Sequence, residues 1–133
     1  MARVVAVSGA SGKTGYRIAE ELLAVGIHPR LLLRSESAVP PSLTHCEQVR
    51  LNIENVDALD QALVGAEALV IATGARPSID LSGPMRVDAW GVKRQIESCQ
   101  RVNVNRVVLV SSLCAGRWRH PLNLFGLVTP VCK

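Results

Sequence analysis

Three glycines in one short segment are the residues of this sequence best suited to chemistry. Gly9, Gly12 and Gly15 form the pattern G-x-x-G-x-x-G between a predicted strand and a predicted helix. At such a junction the glycines allow a tight turn, a close approach of the backbone to a pyrophosphate, and close packing of the helix on the strand. The free N–H groups at the start of the helix then attract an anion. The segment therefore predicts a dinucleotide-binding loop, with a glycine-rich turn without ligand as the alternative.

The run Gly12, Lys13, Thr14 also suggests the phosphate loop of a nucleoside triphosphatase. That loop needs a glycine five positions before Gly12, where this sequence has Val7 inside the predicted strand. It also needs an Asp at the end of a later buried strand to hold Mg²⁺, and neither later strand ends in one. The residues therefore favour a dinucleotide over a triphosphate.

Arg34, at the end of the predicted second strand, bears on the choice of cofactor. Folds that prefer NAD place Asp or Glu about 20 residues after the loop, where the carboxylate binds the ribose hydroxyls. A guanidinium cannot accept those protons but pairs well with a 2′-phosphate, and such a charge-assisted hydrogen bond contributes about 1.5–3 kcal/mol. We therefore expect NADP(H), with NAD less favoured and a solvated strand end as the alternative role for Arg34.

Apolar patterning predicts the elements that position these residues. Strands are predicted at residues 3–8, 28–34, 48–51, 67–73 and 107–112, and helices at 13–25, 56–63 (capped by Asn55) and 85–102. The last helix is expected to present Ala89, Val92, Ile96 and Cys99 on one face. Alternating strands and helices imply right-handed parallel βαβ units, so we predict an α/β fold with an open, doubly wound parallel sheet. Residues 1–112 are expected to form this domain and 113–133 an irregular tail.

Composition excludes several classes of protein. Of the 133 residues, 48% are apolar and 20% are charged, a balance typical of a globular domain and not of a disordered chain. No stretch approaches the roughly 18 consecutive apolar residues of a membrane span. The N-terminus lacks the apolar region and cleavage site of a secretory signal. We therefore expect a location in the cytoplasm or its stromal equivalent.

Charge and cysteine content narrow the expected partners. Lys and Arg number 15 against 11 Asp and Glu, for a net charge of +4, but the basic residues are dispersed along the chain. No nucleic-acid partner is therefore expected. The four cysteines include no C-x-x-C pair, and the three histidines are isolated, so neither a disulfide framework nor a metal site is expected.

Five segments in order resemble the atypical short-chain dehydrogenase/reductases, above all the NmrA-like and flavin/biliverdin-reductase-like proteins of cyanobacteria and plastids. The segments are 7–15, 33–34, 72–74, 87–91 and 106–112, and the resemblance covers residues 3 to about 128. It implies a seven-stranded Rossmann domain that binds NADP(H). It further implies that the protein is a reductase that transfers hydride from NADPH to an unidentified small molecule.

The resemblance also implies a role for individual residues. Gly9, Ser11, Gly12, Lys13 and Thr14 would meet the phosphates, Arg34 the 2′-phosphate, Asn52 the adenine, Thr73 and Gly74 the nicotinamide ribose, and Ser111 the nicotinamide and substrate. Asn52 stands where the family usually has Asp, and it keeps an acceptor oxygen.

Two departures from the family leave the activity open. The Tyr-x-x-x-Lys pair is missing, because the only tyrosine is Tyr16 with Glu20 four residues later, so no catalytic residue is assigned. Relatives also continue after a segment like 122–128 into a lysine-bearing helix and a sixth strand, so we expect about five strands of a fold whose C-terminal part is missing. The alternatives are a non-catalytic NADP-binding module, as a redox sensor or assembly factor with a protein partner, and an inactive remnant.

Overall fold

The computed structural model describes residues 3–73 and 90–110, and strands alternate with helices along both ranges. In chain order the elements are β1 (Val4–Ser8), α1 (Lys13–Ala24), β2 (His28–Leu33), a single 3₁₀ turn (Pro41–Leu43), β3 (Glu47–Arg50), α2 (Val56–Leu63), β4 (Ala68–Ile71), α3 (Gly91–Arg101) and β5 (Val107–Leu109). The predicted strands and helices are therefore confirmed, with ends that differ by a few residues.

Some predictions fall on residues outside the described ranges. These are the site residues Gly74 and Ser111, the beginning of the third helix at 85–89, and the tail at 113–133. The domain boundary at residue 112 therefore stays a prediction.

The five strands form one parallel sheet in the order β3-β2-β1-β4-β5. The chain moves outward from β1 to β3 and then returns to the other side of β1 with β4. Ser8, the last residue of β1, pairs with Leu32 on one side and with Ile71 on the other. This order confirms the predicted doubly wound α/β sheet. It also creates a crevice at the carboxyl ends of β1 and β4, where ligands bind in sheets of this kind.

Helices cover both faces of the sheet. Successive residues of a strand point to opposite faces, so each strand contributes to two cores. One core joins strand residues to α1 and the 3₁₀ turn, and its buried members are Val5, Val7, Ala10, Ala19, Leu31, Leu33, Leu43 and Val70. The other joins strand residues to α2 and α3, and it includes Ala6, Leu32, Leu69, Ile71, Leu59, Leu63, Val92 and Cys99. Burial on both faces explains the continuous apolar runs of β1, β2 and β4.

The face that α3 turns toward the core differs from the predicted one. Val92 and Cys99 are buried as predicted, but Ile96 is 37% exposed, while Gln95 and Ser98 are fully buried. The predicted apolar face is therefore only partly buried, because Ile96 lies at its exposed side. Of the predicted stripe, Ala89 lies outside the described residues.

A polar contact between helices accounts for this orientation of α3. Ser98 Oγ donates a hydrogen bond to the carboxylate of Asp60 on α2, and Arg101 Nε and Nη2 each reach that carboxylate at 2.9 Å. These bonds bring the Ser98 side of α3 against α2 and leave Ile96 on the outer side. Among the described residues, none of the helices is long and apolar enough to cross a membrane.

Candidate functional site

The loop between β1 and α1 lies directly against the end of β4. Gly9 has a φ of 82°, in the left-handed region, and its carbonyl oxygen accepts a hydrogen bond of 3.0 Å from Gly12 N. A Cβ atom added at Gly9 would lie 2.6 Å from the carbonyl oxygen of Ala72 and 2.8 Å from Thr73 N. Only glycine fits at this position. The loop and the chain that leaves β4 therefore form adjoining walls of the crevice.

The other two glycines of the loop differ in what surrounds them. A Cβ atom at Gly15 would lie 2.0 Å from the carbonyl oxygen of Gly9, so α1 packs tightly on the loop. At Gly12 the φ is −82°, and a Cβ atom would have only Gly9 O within 4 Å, at an ordinary contact distance of 3.4 Å. The fold therefore requires glycine at positions 9 and 15 but not at position 12. The missing side chain of Gly12 leaves space in front of the helix.

The beginning of α1 is open to an anion. Gly12 is the N-cap residue, no side chain caps the helix, and no acidic residue stands in its first turn. The first N–H groups of a helix have no partner within the helix. Lys13 and Thr14 are exposed there, and no carboxylate in the described ranges pairs with Lys13. A cation at this position opposes the helix dipole, and a bound anion would relieve that opposition.

The turn after β2 carries the predicted residue Arg34, whose side chain is exposed. The turn is closed by a hydrogen bond of 3.1 Å from Ser37 N to the Arg34 carbonyl oxygen. Arg50, the last residue of β3, donates from Nη1 to the carbonyl oxygens of Arg34, Ser35 and Ser37. Arg50 is not among the residues predicted for the site. The one sequence feature that could have indicated it is its place near the end of the predicted third strand, residues 48–51.

Asn52 follows β3 at the same edge of the sheet and is exposed. Its side-chain Oδ1 accepts a hydrogen bond of 3.0 Å from Glu54 N, and its carbonyl oxygen accepts one of 2.9 Å from Asn55 N. The amide oxygen thus holds its own turn with one lone pair, and the second lone pair remains for another donor.

Thr73 follows β4 behind the glycine loop. Its hydroxyl oxygen is buried and has no hydrogen-bond partner in the part of the chain that the structure describes. A buried hydroxyl without a partner costs free energy, and a ligand with a polar group in the crevice would satisfy it. The open helix start, the space at Gly12 and this hydroxyl all suit the phosphate and ribose groups of a dinucleotide.

All the predicted site residues that the structure describes lie at the carboxyl edge of the sheet. They come from four separate segments: Gly9 to Gly15, Arg34, Asn52 and Thr73. They meet at one edge because the strands that precede them are all parallel. Within the described ranges, no three His, Cys, Asp or Glu side chains come together as a metal site.

The sequence matches a family of known proteins over most of its length. A family model described as NAD(P)H-binding matches residues 9–128. A chloroplastic protein of Arabidopsis thaliana, described only as uncharacterised, is 34% identical over 137 residues, covering 92% of this chain and 49% of that protein. A ceramide reductase of Caulobacter vibrioides is 32% identical over 113 residues, covering 84% of this chain and 35% of that protein. The chain thus spans half or less of the length of these relatives.

Solved structures share the fold. A short-chain dehydrogenase/reductase from Veillonella parvula, solved in complex with NADP, superposes with a TM-score of 0.67 at 21% identity. The superposition covers 88% of this chain and 51% of that one. At this identity the likeness concerns the fold. It agrees with the predicted α/β fold with a doubly wound parallel sheet.

Proposed function

The chain belongs to a family of NAD(P)H-binding proteins, and from that premise we propose that the carboxyl edge of its sheet binds NADP(H). The observation that carries the proposal is the open beginning of α1 beside the side-chain-free Gly12. Backbone N–H groups without a helix partner and the exposed Lys13 belong to this first turn, and no acidic residue stands in it to compete with a phosphate. The loop also follows β1, where the strand order reverses, and ligands bind at this reversal in sheets of this kind, which supports the proposal.

The proposed residue contacts follow the length of the dinucleotide. Ser11, Gly12, Lys13 and Thr14 hold the pyrophosphate, Arg34 the 2′-phosphate, Asn52 the adenine, and Thr73 with Gly74 and Ser111 the nicotinamide half. The exposed guanidinium of Arg34 supports NADP(H) over NAD(H), because a carboxylate that would bind the ribose hydroxyls is absent from that position. The free lone pair of Asn52 Oδ1 supports its contact with an adenine amino group.

We propose further that the protein is a reductase of a small molecule. Bound NADPH would supply the hydride, while this chain supplies position and electrostatics. One relative is named a ceramide reductase, and this name supports a reductase activity for the present chain. The buried hydroxyl of Thr73 is suited to orient the nicotinamide ribose.

A non-catalytic NADP-binding module is the second candidate. The only tyrosine of the sequence, Tyr16, lies on α1 at the phosphate end of the proposed site and is half-buried. The given sequence therefore holds no tyrosine near the nicotinamide end to act as general acid. In this alternative the partner is a protein, and the cofactor acts as a redox signal.

For either candidate we propose a location in the cytoplasm or the stroma of a plastid, since one relative is described as chloroplastic.

Calorimetric titration with NADPH and NADH tests the cofactor proposal. We expect NADPH to bind about 10–100 times more tightly than NADH, because one charge-assisted hydrogen bond to the 2′-phosphate contributes about 1.5–3 kcal/mol. The variant Arg34→Asp should reverse the preference. Arg106→Asp, which makes the same change of charge just before β5 at the opposite edge, should leave it unchanged.

The cofactor proposal is contradicted if neither NADPH nor NADH, at millimolar concentration, gives a heat of binding. Oxidation of NADPH with a panel of carbonyl, quinone and flavin acceptors then separates the two candidates. Turnover with any acceptor supports the reductase. Binding without turnover, together with retention of a protein partner, supports the non-catalytic module.

A further inference from the structure

Arg50 is the residue that holds the turn after β2. Its Nη1 lies 3.2 Å from the carbonyl oxygen of Arg34, 3.2 Å from that of Ser35 and 2.8 Å from that of Ser37. Arg50 is directly opposite Leu33 in the register of β2 and β3. The guanidinium therefore starts from a rigid strand and reaches the turn that begins one residue after the paired position.

The turn needs such a cation for electrostatic reasons. Three carbonyl oxygens of residues 34–37 converge on one nitrogen, and the partial negative charges of such a group repel one another and any nearby phosphate. A guanidinium is always charged and presents planar donors, so it both links the oxygens and offsets their charge. A Ser37 N–H bond to Arg34 O closes the same turn at 3.1 Å. The backbone that carries Arg34 is thus fixed by two independent contacts.

We propose that Arg50 is a positioning residue for the 2′-phosphate of NADP(H). It acts through the turn at residues 34–37, which it holds so that the Arg34 side chain is directed to the phosphate, and it removes the repulsion of the carbonyl oxygens. The inference rests on the proposed function, because it concerns selectivity at the same site. It predicts that Arg50 affects the preference for NADPH over NADH more than it affects dinucleotide binding as such.

The chain contains a matched control for this kind of contact. Arg30, in β2, also donates from Nη1 to two carbonyl oxygens, those of Ala62 at 2.9 Å and Val64 at 2.7 Å. Its Nε donates to Glu47 at 3.0 Å. Arg30 pairs with Ala6, two residues before the end of β1, and its carbonyl partners lie at the end of α2. Replacing it removes the same type of contact from a place away from the carboxyl edge.

The test compares Arg50→Gln, Arg50→Lys and Arg30→Gln with the unchanged chain by calorimetric titration. The ligands are NADPH, NADH and 2′,5′-ADP, and the melting temperature of each variant is measured without ligand. In Arg50→Gln we expect about a tenfold loss of affinity for NADPH and for 2′,5′-ADP, with NADH affected less than about twofold. In Arg50→Lys, which keeps the charge but loses the planar set of donors, we expect a loss of about threefold. Arg30→Gln should lower the melting temperature and leave the NADPH to NADH ratio unchanged.

Each outcome either supports or overturns the inference. If the unchanged chain binds neither cofactor, the proposed function itself is wrong. If it binds NADPH and Arg50→Gln keeps the original NADPH to NADH ratio, only the role of Arg50 is wrong. Full NADPH preference in Arg50→Lys also overturns it, because the planar donors that link the three carbonyl oxygens would then not be needed to position Arg34. If Arg50→Gln does not fold, the ratio measured in Arg50→Lys decides.

Discussion

Among single residues, the three glycines of the loop after β1 meet different physical requirements. A side chain at Gly9 would collide with the backbone of β4, and one at Gly15 would collide with the loop itself. Gly12 has an ordinary backbone conformation and nothing closer than 3.4 Å to an added Cβ. A sequence pattern treats the three positions alike. The structure separates two glycines that the fold requires from Gly12, which the fold does not require and which we propose leaves space for a phosphate.

Gly12→Ala should therefore fold normally but bind NADPH at least about tenfold more weakly, because the added methyl group stands where a phosphate would approach the helix start. Gly15→Ala is the contrasting variant. Its Cβ would lie 2.0 Å from the Gly9 carbonyl oxygen, and the required backbone shift should cost about 1–3 kcal/mol of unfolding free energy. Urea unfolding and calorimetric titration of both variants measure the two effects. A Gly12→Ala variant that binds NADPH as tightly as the unchanged chain would show that the phosphate lies elsewhere.

Between elements, the contact of α2 with α3 combines apolar packing with hydrogen bonds to one carboxylate, that of Asp60. Hydrogen bonds from Arg101 and then from Ser98 lower the pKa of Asp60 below its usual value, although burial acts in the opposite direction. The ionised form of Asp60 thus favours the folded state. This stabilisation is complete above the pKa of an unfolded Asp, about 3.9, and is lost as the pH falls through the lower pKa of the folded state.

Asp60→Asn should consequently be less stable than the unchanged chain at pH 7, and the difference should shrink as the pH falls below about 4. Urea midpoints measured from pH 7 to pH 3 give this difference directly. Glu36→Gln is the control, since Glu36 is exposed and forms no ion pair with the described residues. A constant difference between Asp60→Asn and the unchanged chain over this pH range would contradict the assigned role of the carboxylate.

The elements themselves could be predicted because their signals are local. The apolar run of β1, the glycine pattern after it and the Asn55 cap of α2 each depend on residues close in sequence, and Asn55 Oδ1 does accept from Ala58 N at 3.1 Å. The orientation of Gln95 and Ile96 on α3 could not be predicted in this way. It depends on Asp60, which lies 38 residues before Ser98. Arg50 could not be predicted for the same reason, since its partners are carbonyl oxygens in the turn after the neighbouring strand, β2.

For the sheet as a whole, cofactor binding should stabilise the fold. The proposed site joins the loop after β1 to the chain after β4, and the two strands are held together by bonds such as Ala72 N to Ser8 O at 3.0 Å. A ligand that binds only the folded state at 100 times its Kd adds about 2.7 kcal/mol to the unfolding free energy. We expect NADPH to raise the melting temperature accordingly, and NADH to do so less at equal concentration. Gly12→Ala should show little shift, whereas an equal shift in that variant would point to binding outside the proposed site.

β1 lies in the middle of the sheet, and this position affects when, during its synthesis, the protein becomes able to bind a cofactor. β1 is made before the other four strands of the sheet, yet one of its two neighbours, β4, follows only some 60 residues later. At about 5–20 residues per second, this interval lasts several seconds. During it, one side of β1 has no partner strand and the glycine loop has no wall to rest against. A nascent chain can therefore acquire its cofactor only after β4 has emerged, which makes the cofactor a late participant in biosynthesis.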